Sequence, residues 1–541
     1  MIEAKNRYKL MKFKFCRSIY PVWYLFFQIL FIALFPSKII FAQDSNKKGF
    51  SLSDAVSLTI RNQPNIYLME KKLEIKKGAL QDAKGGFDPK LNLLTEYKQE
   101  ETHLSRLEYY PASGIEDSKI ETITYGVNLE KLTRFGITIT PQVRIVRTDY
   151  KVYPFYDTLY GQYRKVDPIG KASVDLYINV PLLKGWGIDA TTANERGAKK
   201  ECEVGFFELQ HSISESILNV EKAYWEYLAV KKQLDQKRIS ESWSQLLVKD
   251  INVYIKTNVR PAADIEQILA NLADKTAMRI AGEQYLFATR QQLGLVMGVA
   301  FDEIRDIPFP SDEFPDIGDD EINEISKSTA EIITGSLNRR ADYRAIKAKQ
   351  DLGKILLEDA KNKMLPQFDL NLRVGYYGLD EGKDTSTFYT PLKENIPGFN
   401  CSFSLKYKFP LPNNSAKGIL KQKKSAYEHT IISGNNLART IRSNIHVNIR
   451  GLMNNLHELG KAREAVQAYR RVVANEKQKF RLGKSSLQDY ILMEDYLSNA
   501  LQKEIAAHYK LSKTLAQLHF ETGCYLIESR RNSFSSRFLK N

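Results

Sequence analysis

Two long stretches of this chain contain no proline and carry apolar residues at a helical spacing. They run from about residue 188 to 256 and from about 416 to 481. In the first, apolar residues recur roughly every 3.5 positions, a period typical of coiled-coil packing, at Ile213, Ile217, Val220, Tyr224, Tyr227 and Leu234. At a rise of 1.5 Å per residue, each helix would be about 100 Å long. A helix of that length needs equally long neighbours, so the sequence predicts a cylinder of struts and not a globule.

The two long stretches belong to two copies of one sequence pattern. Residues 86–91 (GFDPKL) and 363–368 (KMLPQF) each close a helical pattern and open a strand pattern at their proline. Further along, 34 residues separate Asp264 from Gly298, as they separate Asp489 from Gly523. Self-similarity of this kind indicates a repeat architecture.

These signals divide the chain into five segments. We predict a signal peptide over 1–42, a first repeat over 43–298, a Pro- and Asp-rich linker over 299–325, a second repeat over 326–525 and a C-terminal tail over 526–541. Each repeat reads as a helix, a β hairpin, a long helix, a reversal and a shorter helix. The helix before each hairpin can stack end to end on the returning helix and complete a second strut.

The ends of the hairpins and the helix reversals are marked by turn residues. The first hairpin lies between Pro89 and Pro181, and the second lies between Pro366 and Pro410. The helices reverse near residues 256–264 and 481–489.

The N-terminus has the layout of a secretory signal peptide. Several basic residues precede an almost wholly apolar run from Val22 to Phe35, and the small residue Ala42 ends the stretch. An uncleaved membrane anchor is the alternative. Residues 1–42 carry seven basic residues and one acidic residue, so removing them lowers the net charge from +15 to +9. The remaining basic residues are spread along helices beside acidic ones, which is typical of solvated faces and argues against a nucleic-acid partner.

The strand patterns alternate apolar and polar residues. Residues 368–376 and 399–409 each place apolar side chains on one face, as do residues 174–180. Such alternation fits either a soluble sheet or strands of a membrane barrel. Four strands cannot close around an opening, and unpaired strand edges are not tolerated in lipid. If the strands lie in a membrane, the chain must therefore form an oligomer.

Short motifs recur in a fixed order along residues 50–525: LSDAV at 52–56, NQP at 62–64, PLLKG at 181–185, RAD at 340–342, LP at 365–366, FPL at 409–411, Gly483 with Asp489, and Leu518 with Thr522-Gly523. In this order and spacing they resemble the outer membrane efflux protein family, of which TolC is the namesake. The resemblance implies an α+β membrane protein of the cell outer membrane. It implies a homotrimer in which four strands from each chain close a twelve-stranded β-barrel, continued by a long α-helical coiled-coil tunnel in the periplasm.

The resemblance also implies a function and partners. The chain is expected to be the passive exit duct of a tripartite efflux system or a type I secretion system. It would contact outer-membrane lipid, a periplasmic adaptor (membrane fusion protein) and an inner-membrane pump. One departure concerns the first hairpin, which spans 92 residues between Pro89 and Pro181 against 44 between Pro366 and Pro410. Its surplus contains more alternating pattern, and it forms either an enlarged external loop or an added hairpin.

The reversals carry the candidate site residues. Gly483 can adopt the left-handed backbone that a tight helix ending needs, Asn258 stands at the matching place in the first repeat, and Pro261 suits the first turn of a helix. By resemblance, the adaptor-facing residues are Asn258, Pro261, Gly483, Ser485 and Leu487. Ordinary helical turns without a partner are the alternative.

Asp489 matches a family position where acids ring the constriction of the tunnel. Three such carboxylates in a narrow bore would repel anions and attract cations. The family's second acid falls at Leu492, so the paired ring is incomplete. The alternative for Asp489 is an acid that stabilises the N-terminus of its helix, and this is the interpretation we favour for Asp264.

No catalytic motif is present in the sequence. His457-Glu458 lacks the second histidine of a zinc-protease motif, and no P-loop, nucleophile elbow or CxxC occurs. The sequence thus predicts no enzyme, no cofactor and no metal site. The rival from another class is a soluble periplasmic coiled-coil scaffold capped by a sheet.

Overall fold

The computed structural model describes residues 49–103, 117–152, 155–157, 162–164, 167–257, 261–318, 324–325, 327–382, 390–392 and 398–525. The predicted signal peptide and the C-terminal tail lie outside the described residues, as does Asn258.

Apart from one four-residue helix in the first half, the described α-helices follow the same order in the two halves. The first half contains α1 (Leu52–Asn62), α2 (Pro64–Gly85), α3 (Ile188–Thr191), α4 (Ala193–Lys256) and α5 (Asp264–Met297). The second half contains α6 (Thr329–Arg339), α7 (Ala341–Lys363), α8 (Asn414–Arg481) and α9 (Leu487–Thr522). Helices α4 and α8 are 64 and 68 residues long, which confirms the predicted long struts.

The long helices pack along their length on shorter ones. Helix α4 contacts α2, α5, α7 and α9, and α8 contacts α7 and α9. The apolar residues that set the 3.5-residue period of α4 are buried from Ile217 to Leu234. They form the core between α4 and its neighbours because a helix can bury only the stripe that faces another helix.

Each returning helix meets the preceding short helices at a left-handed glycine. Helix α5 ends at Gly298, which has φ 72°, and the side chain of Gln63 donates to the Val296 carbonyl at 2.7 Å. Helix α9 ends at Gly523, which has φ 70°, and Arg339 Nε donates to the Thr522 carbonyl at 3.0 Å. The predicted end-to-end stacking is therefore present in both halves, with the junctions at residues 62–64 and 339–341.

The second junction also holds a buried ionic cluster. The Arg340 guanidinium contacts both Asp342 and Glu521, and Asn444 of α8 donates to Glu521 at 3.1 Å. Burial alone would raise the pKa of the Asp342 carboxyl, but the hydrogen bond and charge of Arg340 lower it overall. A lowered carboxyl pKa stabilises the folded state at neutral pH, and this contribution is lost only as the pH falls through that pKa in acid.

Six strands form one antiparallel sheet. They are β1 (Lys90–His103), β2 (Asp117–Leu132), β3 (Thr138–Val152), β6 (Ile169–Pro181), β7 (Gln367–Glu381) and β8 (Gly398–Lys408), in that spatial order. A small separate hairpin is formed by β4 (Phe155–Asp157) and β5 (Gln162–Arg164).

The prediction of four strands per chain is wrong for this sheet, which has six, whereas the closed barrel of twelve strands in three copies stays a prediction. The surplus of the first hairpin forms an added hairpin, β2–β3, which lies between β1 and β6 in the sheet. The alternation in residues 123–145 is long enough for two further strands, and backbone pairing with β1 and β6 satisfies their hydrogen bonds. Three copies would supply eighteen strands.

Replacing Gly298 by alanine should destabilise the folded chain. A Cβ atom there would lie 2.6 Å from the Asn62 carbonyl oxygen, on a backbone that already has positive φ. The expected loss is about 2 kcal/mol or more of unfolding free energy. Denaturant unfolding in detergent would measure it. The control is Gly78→Ala in the middle of α2, where a Cβ meets nothing within 4 Å. The control should gain about 0.5–1 kcal/mol of unfolding free energy. Equal effects of the two changes would contradict the close contact of Gly298 with Asn62 at the junction.

Candidate functional site

The tip is the end of the helical region where α4 turns into α5 and α8 turns into α9. In the first turn, residues 258–260 lie outside the described residues, Pro261 is exposed, and Asp264 begins α5. The second turn is described in full. Both turns have exposed residues that a partner can reach.

The second turn ends α8 with a left-handed glycine, as its sequence predicts. Gly483 has φ 70°, and its N–H donates to the Phe480 carbonyl at 3.1 Å. The next N–H, of Lys484, donates to the Lys479 carbonyl at 2.8 Å. These two bonds satisfy carbonyls that the helix would otherwise leave unpaired.

Two other predicted contact residues differ in their surroundings. Ser485 is partly exposed, and its hydroxyl bonds to the Glu476 carboxyl and lowers the pKa of that group. Leu487 is only 2% exposed and packs in the apolar tip cluster. A side chain buried in this way has no surface to offer a partner, so Leu487 is left out of the contact surface that we propose below.

Asp489 lies in the first turn of α9 and is exposed in the single chain. Its backbone N–H donates to the Ser486 hydroxyl at 3.1 Å, and that hydroxyl donates back to the Asp489 carboxylate at 2.6 Å. The carboxylate also lies where the positive end of the helix dipole favours it. Ser486 therefore caps α9 and is held by Asp489, whose carboxylate is exposed in the single chain.

The two helix reversals are joined by one apolar cluster, which we call the tip cluster. It combines residues of α4, α5, α8 and α9: Leu247, Ile251, Ile268, Val473, Phe480, Leu487, Tyr490 and Ile491. Trp243 stacks edge-on against Tyr490 with ring centroids 5.5 Å apart. Because the cluster draws on both repeats, movement of one helical hairpin at the tip disturbs the packing of the other.

A buried ion pair above the tip cluster was missed from the sequence. Lys275 of α5 is 8% exposed and its ammonium contacts Asp495 of α9, while Glu494 lies beside it. Burial and the Asp495 carboxylate raise the pKa of Glu494. The signal in the sequence was too weak to find this pair, because its members are 220 positions apart.

The sheet exposes its apolar face. One row of register partners crosses all six strands and is exposed throughout: Leu93, Val127, Val143, Val174, Tyr376 and Phe399. Leu93 is 75% exposed and Phe399 is 72% exposed. Apolar side chains of this size are normally buried in a protein that lives in water.

The opposite face of the sheet is polar. The next row of register partners contains Asn92, Asn128, Gln142, Asp175, Gly375 and Asn400. Asp175 is 4% exposed and accepts from Arg373 Nε at 3.0 Å, and Asn92 donates to Asn128 at 2.8 Å. One apolar face and one polar face is the distribution expected of strands that separate lipid from a water-filled space.

The four prolines predicted at the hairpin ends lie where the sheet meets the helices. Pro89 and Pro366 immediately precede β1 and β7, Pro181 is the last residue of β6, and Pro410 follows β8 by two residues.

Solved structures with a similar fold include outer-membrane channels. The outer membrane channel CmeC of Campylobacter jejuni matches 87% of this chain with 85% of its own length, at 13% identity and a TM-score of 0.60. The outer membrane protein VceC of Vibrio cholerae matches 87% of this chain with 96% of its own, at 12% identity and a TM-score of 0.61. The open-state MtrE outer membrane channel of Neisseria gonorrhoeae matches 87% with 88%, at 11% identity and a TM-score of 0.56.

The chain has the fold of these outer-membrane channels. No protein-family model matches the sequence, and neither does any curated protein. The assignment of the fold therefore rests on the structural comparison, because identities near 12% leave few shared residues for a sequence comparison to detect.

Among the described residues, no helix combines the length and apolarity needed to cross a membrane.

Replacing Lys275 by methionine should loosen the tip. The change leaves Asp495 and Glu494 close together without their cation, and we expect a loss of about 1–2 kcal/mol after allowing for the partial exposure of Asp495. Hydrogen exchange of residues 243–251 and 487–497 would report it as faster exchange. The control is Arg238→Met, which removes the exposed pair with Glu283 at 3.0 Å. Its effect should be close to zero, and equal exchange rates in the two variants would show that the buried pair does not hold the tip.

Proposed function

We propose that this protein is the passive outer-membrane exit duct of a tripartite efflux or type I secretion system. The observation that carries the proposal is the sheet with one apolar and one polar face. Its apolar face is exposed, and its other face is lined with polar residues. The sheet would stand in the outer membrane, and the α-helices would form a tunnel in the periplasm. The protein would be a channel and not an enzyme, with energy supplied by the pump.

Closure of the sheet requires further copies of the chain. Strands β1 and β8 are the two edges, and each has a neighbour on only one side in the described sheet. Because the sheet has six antiparallel strands, β8 runs opposite to β1, so β8 of one copy can pair with β1 of the next in the same antiparallel pattern. Unpaired edges are too costly in hydrocarbon to persist. We propose the homotrimer that the resemblance implies.

The exposed residues of the tip would face a periplasmic adaptor. Pro261, Gly483 and Ser485 remain on this surface, and Asn258 stays a candidate from the sequence alone. The adaptor would connect the tip to an inner-membrane pump. An efflux duct and a type I secretion duct need the same physical features, so both remain open for this chain.

The soluble-scaffold alternative makes an opposite prediction about the sheet. A soluble sheet would turn its apolar row toward a core, whereas Leu93 and Phe399 are exposed here. Fractionation of cell envelopes should place the mature protein in the outer membrane, and purified protein should need detergent and run as a heat-modifiable oligomer. A monomer that stays soluble without detergent would refute the duct.

Neutralising Asp489 should raise the leak through the closed tip. In Asp489→Asn the side-chain oxygen can still accept from Ser486, so the change removes three charges from a trimer and leaves the helix cap in place. Planar-bilayer recordings should show a higher single-channel leak conductance and weaker cation preference, because a ring of carboxylates holds cations in a narrow bore.

The matched control for this experiment is Asp264→Asn. Asp264 occupies the corresponding first turn of α5, and we assign it to the helix dipole alone. It should leave both the conductance and the ion preference unchanged. If Asp489→Asn behaves as the control does, Asp489 does not line the constriction.

A further inference from the structure

We propose that the added β2–β3 hairpin is part of the barrel wall, so that three copies close an eighteen-stranded barrel and the exit is wider than twelve strands allow. The proposal rests on the membrane duct proposed above. It assigns the hairpin a role in setting the width of the exit, and with it the size class of solute that can leave.

The first support is that β3 continues the membrane-facing surface of β6 residue by residue. Ile139 pairs with Ile178, Val143 with Val174, and Ile145 with Ala172. On β2, Tyr125 pairs with Ile145 and Val127 pairs with Val143, so the apolar surface continues at the same height along the strands. The apolar belt therefore crosses the added hairpin at the same height as the other strands, which an extension above the membrane would not require.

The second support is that, toward the end of the strands away from the helices, the apolar face of the hairpin becomes charged beyond this belt. Past Tyr125 and Ile145, the same face of β2 and β3 carries Lys119, Glu121, Arg147 and Asp149. Lys119 pairs with Glu101 of β1 at 2.8 Å. A change from apolar to charged residues at one level is expected where a barrel strand leaves the hydrocarbon.

The third support is the polar face of the hairpin. Gln142 and Arg144 of β3 pair with Asp175 and Ser173 of β6, so the polar lining continues across the added strands. Charges of both signs occur on this lining, as in Arg144 and Asp175. Such a lining favours hydrated solutes and does not select strongly for one charge.

The fourth support is the anchoring of the turn between β2 and β3. Arg134 donates two hydrogen bonds to Glu195 at the start of α4, at 3.0 and 3.1 Å, and lies over the Phe87 ring. The Phe135 carbonyl accepts from the Gly187 N–H at 3.2 Å. At Gly136, with φ 92°, a Cβ atom would lie 2.4 Å from the Gly185 carbonyl oxygen. The turn between β2 and β3 is thus held by contacts at the junction between the sheet and the helices.

The consequence is a wide exit above a narrow tip. Barrel diameter grows roughly linearly with strand number, so eighteen strands give a barrel about half as wide again as twelve, and barrels of 16–18 strands hold an aqueous channel. Selection by size would then take place at the helical tip. The barrel itself would admit bulky hydrated solutes.

The first experiment tests wall membership with matched single cysteines. In a background with Cys16, Cys202, Cys401 and Cys524 replaced by serine, Val143→Cys and Arg144→Cys probe the two faces of β3. Their register partners Val174→Cys and Ser173→Cys probe β6. In vesicles, a charged maleimide should label Val143→Cys and Val174→Cys about ten-fold more slowly than Arg144→Cys and Ser173→Cys, because it cannot enter hydrocarbon.

The β6 pair distinguishes the two proposals. Equal labelling of Val143→Cys and Arg144→Cys, with Val174→Cys still protected, would place the hairpin outside the wall and overturn only the wide barrel. Equal labelling of both pairs would overturn the membrane duct itself.

The second experiment measures the width. Deleting residues 117–152 removes two antiparallel strands and leaves β1 and β6 still antiparallel. Polyethylene glycols added on the barrel side should enter the native channel at larger sizes than they enter the deletion variant. An unchanged size limit would contradict the proposal. If the deletion variant does not assemble, strand counting in electron micrographs of the native protein decides, with eighteen supporting the proposal and twelve overturning it.

Discussion

Lateral packing of very long helices is the constraint on which the rest of the structure depends. A helix of 64 or 68 residues has no fold of its own and is stable only where another helix covers its apolar stripe. The chain meets this need by laying two shorter helices end to end beside each long one. Since a short helix ends where the next begins, each strut contains a joint, and the joints are the positions with the least freedom to vary.

The joints explain why Gly298 and Gly523 stand at equivalent places. Each ends a returning helix in the left-handed conformation, and at each the next short helix approaches so closely that a Cβ atom would meet backbone. The second joint adds the Arg340, Asp342 and Glu521 cluster. The ends of the returning helices at the joints are therefore held tightly by close backbone contacts, whereas their opposite ends at the tip are held by an apolar cluster and a buried ion pair.

In the proposed duct the sheet would face a different solvent from the helices. Its exposed apolar row and buried Asp175 would be unfavourable in water, but they are favourable for a wall between lipid and a water-filled lumen. The helices would then lie in the periplasm. The boundary between the two environments would lie at the hairpin-end prolines and at the turn of the added hairpin, where Arg134 ties the sheet to α4.

The sequence by itself determined the local features. The proline-free runs and their 3.5-residue period fixed two long helices, Gly483 fixed a helix ending, and alternation marked the strands, because each of these depends on residues close together in the chain. Only the tertiary structure decided which strands are neighbours. Residues 123–145 could be read as an external loop or as strands until their pairing with β1 and β6 was known. It also decided that Leu487 is buried and that Lys275 contacts Asp495. These outcomes depend on packing between segments far apart in the chain, and local sequence patterns contain no record of which distant residue will be the partner.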